Sequence, residues 1–406
     1  MKKQIDWQRW PLAMQMGIIS FLSLSLFGLL VAANFQFLVK LIPFVDRDFM
    51  TLWAGGKALL VGIDPYEPGQ WEPLFTSFGS VWIPNPWSPY PLWTSMFFVF
   101  LAWLPVNYAA AIWLSITELA VGSSIFLLAT QIGPRHLTPV SYLAILVGGF
   151  LFRGTSLTIL HGQLTALLLL VVTMFLFLMK NRQHILAGIC LALIVLKPTS
   201  FILFAPLIVI WLIRRGFWKV IYGGATATAL IVVTSWLVQP GWPLEWLNAR
   251  GKVYVTYQTP TVWGLAYEIS PIWWPWLGTG FAIIVTIILG WYCLNCDRLG
   301  IEDVASLALA ASLVITPYAW AYEHALLVLP LTLLYGRIRA TAQFTLIWSF
   351  LALALPWILF GIALERKVDT FSVFIPISTG CAYLLSMVRS NKFRTYRLFD
   401  NKGISI

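Results

Sequence analysis

The chain is organised as long apolar runs separated by short polar breaks, and this alternation predicts its elements. Thirteen runs are legible, at about 15–37, 89–104, 108–131, 138–152, 157–179, 185–196, 199–213, 217–238, 272–294, 301–316, 319–335, 341–363 and 371–388. Most extend over about 15 to 25 residues, enough for a helix to cross a hydrocarbon core of about 30 Å. Segments such as LTALLLLVVTMFLFLM lack the polar–apolar alternation of a barrel strand, so helix is the predicted conformation throughout. The fold class that follows is an all-α polytopic membrane protein, a single integral membrane domain over 1–406.

Composition agrees with the pattern. Of the 406 residues, 59% are hydrophobic and 10% charged, well short of the roughly 25% charge that keeps a soluble domain in solution. The net charge of +10 resides in short Lys/Arg clusters between apolar runs and in the tail KFRTYR, which is the distribution of a topology signal rather than of a nucleic-acid surface. Cys190, Cys293 and Cys381 fall inside apolar runs. Cys293 and Cys296 form a lone C-x-x-C, without the second pair that a zinc set needs. Lys2, Lys3 and Arg9 precede the first run, and with no small-residue cleavage site after it, that run is expected to stay as an anchor.

The basic clusters fix an orientation. Arg214, Arg215 and Lys219, then Arg298, then Arg337 and Arg339, then the tail 389–406 are each separated by one hairpin, so all are expected on the cytoplasmic side with the N-terminus. Thirteen crossings cannot leave both ends on one side. The short run 89–104 is therefore expected to be re-entrant or interfacial, which leaves about twelve spans. Two long loops then face outward, 38–88 and 239–271, and long loops on a rigid scaffold are where function concentrates. The first carries Asp46, Asp48, Asp64, Glu67 and Glu72, five of the sixteen acids in the chain; the second is rich in Trp and Tyr, as in GWPLEW. Those aromatics also suit a simple headgroup anchor.

Within RDFMTLWAGGKALLVGIDPYEP, Phe49, Leu52, Trp53, Leu59 and Leu60 fit a short interfacial helix with Asp48 as its N-cap. Asp64-Pro65-Tyr66 reads as a turn in which the Asp carboxylate accepts from the backbone. A capping role is one reading of Asp48. The other is general base, since an inverting glycosyl transfer needs one carboxylate at the acceptor hydroxyl.

An ordered series of pieces resembles glycosyltransferase family 87. It comprises Asp48-Phe49; Ala58, Leu59, Gly62, Asp64, Pro65 and Tyr66; Tyr90-Pro91; HGQLT with Gly162 and Gln163; AGICLALIVLKPTSF with Gly188, Lys197 and Pro198; and TPYAWAYEHALL with Pro317, Trp320 and His324. The series covers about 46–330. The chain departs from the family pattern at Trp53, where a Tyr is usual, and at Leu92, where a second proline is. The resemblance implies a GT-C type bundle, a polyprenyl-phosphate sugar donor such as the mannosyl carrier, and a base in the first outer loop. It favours Asp48 for that role, with Asp46 as the rival.

Other polar residues on the outward side are binding candidates, each with a plainer alternative. Lys197, between two apolar runs, suits a leaving phosphate or a lysine snorkelling to headgroups. Arg153 offers the same pair of roles. His161 and His324 suit the donor phosphate or the sugar, or ordinary helix packing. Gln163 and Tyr66, with Asp64, suit sugar hydroxyls, and a buried Gln also joins helices. No nucleotide-binding motif is present, so an outward-facing site must draw its sugar from a lipid carrier. The acceptor is expected to be a glycolipid or a glycan, in a bacterial plasma membrane, with no metal or cofactor indicated. A lipid flippase is the alternative function, weakened by the lack of repeated halves. A non-catalytic scaffold would leave Asp48 and Lys197 without a role.

Overall fold

The computed structural model describes residues 12–389 except 82–84, 133–137, 251–257, 297–298 and 339–341. Lys2, Lys3, Arg9, Arg298, Arg339 and the tail beyond 389 lie outside the described residues. Among those described, all regular structure is helical, and each of the thirteen apolar runs coincides with helix.

Among the described residues, six helices are long and apolar enough to cross a membrane: Ser20–Val39, Val106–Ile132, Trp218–Val238, Trp274–Asn295, Leu346–Arg366 and Thr370–Met387. A seventh is reached if Pro139–Leu151 and Arg153–His161, which meet at 54°, form one broken span. The remaining apolar helices are shorter, and the reasons are local. Leu92–Ala102 has 11 residues, about 16 Å at 1.5 Å per residue, half the thickness of a hydrocarbon core. The runs 185–196 and 199–213 are separated at Lys197, whose non-helical backbone (φ −144°, ψ 73°) is favoured by Pro198 after it. The run 157–179, which reads as one segment, is divided at Gly162 in the left-handed conformation (φ 64°).

Four of these long helices are mostly exposed, whereas Val106–Ile132 and Thr370–Met387 are about half buried within the protein. Only 11% of Trp274–Asn295 is buried within the protein, and Phe281, Ile283, Ile284, Ile287, Ile288 and Trp291 are exposed along it. Such a surface is compatible with lipid and not with water. At the centre lies Ile301–Ile315, of which nearly every residue is buried. Small residues set the closest helix pairs: a Cβ at Gly188 of His184–Ala192 would lie 2.0 Å from the Val220 carbonyl oxygen of Trp218–Val238.

The helix expected at 49–60 runs over Asp48–Val61, and most of it is packed within the protein. Phe49 to Gly56 and Ala58 are all buried within the protein. The reason is Gly55-Gly56: a Cβ on Gly56 would sit 2.7 Å from the Phe98 backbone, so the glycines let this helix press directly on Leu92–Ala102. Its N-cap is Arg47, not Asp48, and Arg47 makes no side-chain cap bond. Asp48 is instead in the first helical turn, where the positive end of the helix dipole favours a carboxylate.

Candidate active site

Asp48 is held opposite a histidine. The backbone enters Asp48–Val61 through an extended Arg47 (φ −120°, ψ 165°), and the Asp48 Oδ2 atom lies 3.4 Å from Nδ1 of His161. His161 ends the helix Arg153–His161 because Gly162 turns the chain through positive φ. Two contacts fix that turn. Trp113 Nε1 donates to the Gly162 carbonyl at 2.8 Å, and Phe49 packs so closely that a Cβ at Gly162 would lie 2.7 Å from the Phe49 Cβ. The neighbours of Phe49 and Gly162 are thereby set face to face. Both side chains keep partial access, 19% for Asp48 and 31% for His161. Asp46 is engaged elsewhere. One of its oxygens accepts from the Ser80 hydroxyl at 3.1 Å and the Val81 amide at 2.9 Å, fastening the far end of the loop 38–88.

Lys197 is the second centre. Its Nζ is 2.8 Å from Glu323 Oε1, donates to Gln163 Oε1 at 3.2 Å, and lies 4.8 Å from the centre of the Tyr322 ring. The lysine and the glutamate side chains are 6% and 0% exposed, so two opposite charges are sequestered together. Gln163 Oε1 also accepts from the Tyr90 hydroxyl at 3.3 Å, and the Tyr90 carbonyl accepts from the Tyr66 hydroxyl at 2.9 Å. The carbonyls freed by the break before Lys197 are not wasted: Val195 accepts from Trp93 Nε1 and Leu196 from the Thr94 hydroxyl, both at 2.8 Å.

Tyr322 joins the two centres. Its ring centre is 6.0 Å from that of His161 on one side and under Lys197 on the other, and its carbonyl accepts from the Thr158 hydroxyl at 2.6 Å. A cleft of about 370 Å3, partly open to solvent, runs along Lys197, Tyr90, Tyr318 and Tyr322 and is edged by prolines and Thr199. The described part of the loop 239–271 closes on this region. Trp246 Nε1 donates to the carbonyl of Pro89, a cleft residue, at 3.1 Å, and Trp242 packs edge-on against Trp93 at 4.8 Å.

Asp64 and Tyr66 belong to the frame. Asp64 accepts the Tyr66 amide at 2.9 Å, completing the turn expected there, and the Gln239 amide group at 3.0 Å; the same Gln239 nitrogen donates to Glu245 Oε2 at 2.6 Å. The loops 38–88 and 239–271 are tied at this point. Burial, followed by the carboxylates of Asp64 and Glu245, pushes the Tyr66 phenol well above its usual pKa and keeps it a neutral donor.

Arg153 and His324 are not on the cleft wall. Arg153 makes a two-pronged bond to Asp369, at 3.1 and 2.8 Å, donates to Ser372 Oγ at 2.6 Å and stacks on Phe360 at 4.7 Å. His324 is buried behind Gly154 with neither ring nitrogen hydrogen-bonded. Of the eight residues singled out by sequence, Asp48, His161, Gln163 and Lys197 are brought together through Tyr322; Tyr66 and Asp64 brace them, and Arg153 and His324 stand apart. Sequence reading missed Glu323, Tyr322 and Tyr90 as members. Glu323 was the legible one, as an acid inside an apolar run, which requires a cationic partner.

The sequence model of glycosyltransferase family 87 matches residues 87–317, more than half of the chain. The chain belongs to glycosyltransferase family 87. Within this family 87 chain, the matched stretch holds Tyr90, Arg153, His161, Gln163 and Lys197, while Asp48, Tyr322, Glu323 and His324 lie beyond it. Family membership makes it a glycosyltransferase with a sugar donor and an acceptor. No curated protein and no solved structure matches the chain.

Proposed function

We propose that this glycosyltransferase moves a hexose, mannose in the first instance, from a polyprenyl-phosphate carrier to a glycolipid or glycan acceptor at the outer face of a bacterial plasma membrane. The observation that carries the reading is the continuous set Asp48–His161–Tyr322–Lys197, with a carboxylate at one end and an ammonium beside a tyrosine-lined cleft at the other. An inverting displacement needs both ends. The acceptor oxygen attacks the anomeric carbon, its proton passes to an Asp48 oxygen, and the carbon–oxygen bond to phosphate breaks with its electron pair going to the carrier phosphate. That phosphate is stabilised by Lys197, drawn partly from Glu323 toward the new anion. His161 holds the Asp48 carboxylate in place, while Gln163 and the tyrosines offer hydrogen bonds and ring faces to the sugar. Asp46 is passed over because its oxygen is already engaged by Ser80 and Val81.

In this reading the shorter apolar helices complete about twelve crossings of a GT-C type bundle. Membership of a glycosyltransferase family favours transfer over lipid transport. The test uses the purified chain with polyprenyl-phosphate mannose, glucose and arabinose and membrane glycolipid, followed by NMR of the product's anomeric configuration. Transfer from a lipid-linked hexose with inverted configuration is expected. Retention of configuration, or transfer only from a nucleotide sugar, contradicts the mechanism.

A further inference from the structure

The cleft beside Lys197 holds donors that the two charged centres leave unused. An ammonium has three N–H groups, and Lys197 commits two of them, facing Glu323 Oε1 at 2.8 Å and donating to Gln163 Oε1 at 3.2 Å. One N–H is left for a ligand, and Glu323 already balances the charge. Of the hydroxyls on the cleft wall, that of Tyr90 donates to Gln163 Oε1, and Tyr318 is hydrogen-bonded to the Trp320 side chain. Tyr322 and Thr199 differ: neither hydroxyl bonds to any described residue, and neither is sealed from solvent.

Both are placed by features of the fold. Lys197 and Thr199 flank Pro198, where the chain passes from a non-helical residue (φ −144°, ψ 73°) into the short turn Pro198–Phe201, so an ammonium and a hydroxyl two residues apart border one cleft. Tyr322 comes from a distant part of the chain. Its carbonyl accepts from Thr158 Oγ1 at 2.6 Å, and its ring is fixed between the His161 ring, at 6.0 Å, and Lys197 Nζ, at 4.8 Å.

We propose that the Tyr322 and Thr199 hydroxyls, with the remaining Lys197 N–H, form a cradle for the phosphate of the lipid carrier. This rests on the carrier reading above and adds which groups receive the leaving charge. As the bond between the anomeric carbon and the phosphate oxygen breaks, its electron pair stays on that oxygen, and the carrier passes from a diester with one negative charge to a monoester with about two. A lysine already paired with Glu323 offsets only part of the added charge. Two neutral hydroxyls contribute hydrogen bonds that strengthen as the charge grows, and both keep their protons. The Tyr322 ring and the other tyrosines are left for the sugar.

Isothermal titration calorimetry of the purified full chain in detergent with farnesyl phosphate, farnesol and inorganic phosphate, beside thermal denaturation, tests it. Wild type is expected to bind farnesyl phosphate more tightly than farnesol. Tyr322→Phe, which keeps the ring under Lys197, and Thr199→Val, which keeps the branched shape, are each expected to weaken farnesyl phosphate binding about tenfold, to leave farnesol binding unchanged and to melt at the wild-type temperature. Thr199→Ser keeps a hydroxyl and is expected to bind as wild type does; the Thr199→Val and Thr199→Ser pair carries the test where Tyr322→Phe does not fold. Unchanged farnesyl phosphate affinity in Tyr322→Phe or Thr199→Val, or an equal loss for farnesol, overturns the cradle and leaves the carrier reading standing. Wild type that binds farnesyl phosphate no better than farnesol overturns the carrier reading and the cradle together. Inorganic phosphate bound as tightly as farnesyl phosphate also overturns the proposal, and assigns the hydroxyls to free phosphate instead.

Discussion

Gly162→Ala is the sharpest test of how the site is assembled. Gly162 has φ 64°, and an added Cβ would lie 2.7 Å from Phe49 Cβ, an atom that cannot swing away as the end of a flexible side chain could. Gly62 supplies the control: its φ is 73°, yet a Cβ there meets nothing within 4 Å. For Gly62→Ala only backbone strain operates, about 1–2 kcal/mol, offset by about 0.4–1 kcal/mol from a less disordered unfolded chain. The net is a loss of about 1 kcal/mol. Gly162→Ala adds an overpacking cost of about 1–3 kcal/mol, for a total of about 2–4 kcal/mol. Relief of the clash must move Phe49 or the 161–162 turn, and either motion separates Asp48 from His161. The assay is thermal denaturation of both variants in the same detergent, alongside sugar transfer by the folded fraction. Gly162→Ala is expected to be the less stable and to lose transfer, and Gly62→Ala to keep it. Equal destabilisation of the two, or full activity in Gly162→Ala, would refute the claim that the Phe49–Gly162 contact sets the site.

The two buried ion pairs make separable predictions. Glu323→Gln leaves Lys197 as an uncompensated buried charge and is expected to cost about 3–5 kcal/mol of stability, while Lys197→Met/Glu323→Leu recovers most of that without recovering transfer; a double variant no more stable than the single one would contradict the pairing. Asp369→Asn is expected to cost about 3–5 kcal/mol by stranding Arg153, with the donor KM of the folded enzyme unchanged. A raised donor KM at unchanged thermal stability would instead place Arg153 at the phosphate.

The helices were legible because burial in lipid demands continuous apolar sequence, and no run fails to appear as helix. Where they break was less legible. Gly162 sits inside what reads as one apolar segment, and its positive φ is imposed by Phe49 and Trp113, more than forty residues earlier in the chain. The same limit applies to partners. Arg153 reads as a phosphate ligand until Asp369, 216 residues on, supplies its counter-charge, and Lys197 reads as unpaired until Glu323 comes to 2.8 Å. The helix at Asp48–Val61 reads as interfacial because its glycines carry no side chain to register as apolar, although a Cβ on Gly56 would sit 2.7 Å from the Phe98 backbone. Residue types showed which side chains were costly to bury; pairing across the fold decided which of them remain for chemistry.

The most direct measurement is transfer of radiolabelled sugar from polyprenyl-phosphate mannose to membrane glycolipid by wild type, Asp48→Asn and Asp46→Asn. With the base at Asp48, Asp48→Asn should be folded and inactive, and Asp46→Asn should retain transfer while losing about 1–3 kcal/mol of stability from its loop bonds. An active Asp48→Asn, or an inactive but equally stable Asp46→Asn, would contradict the account.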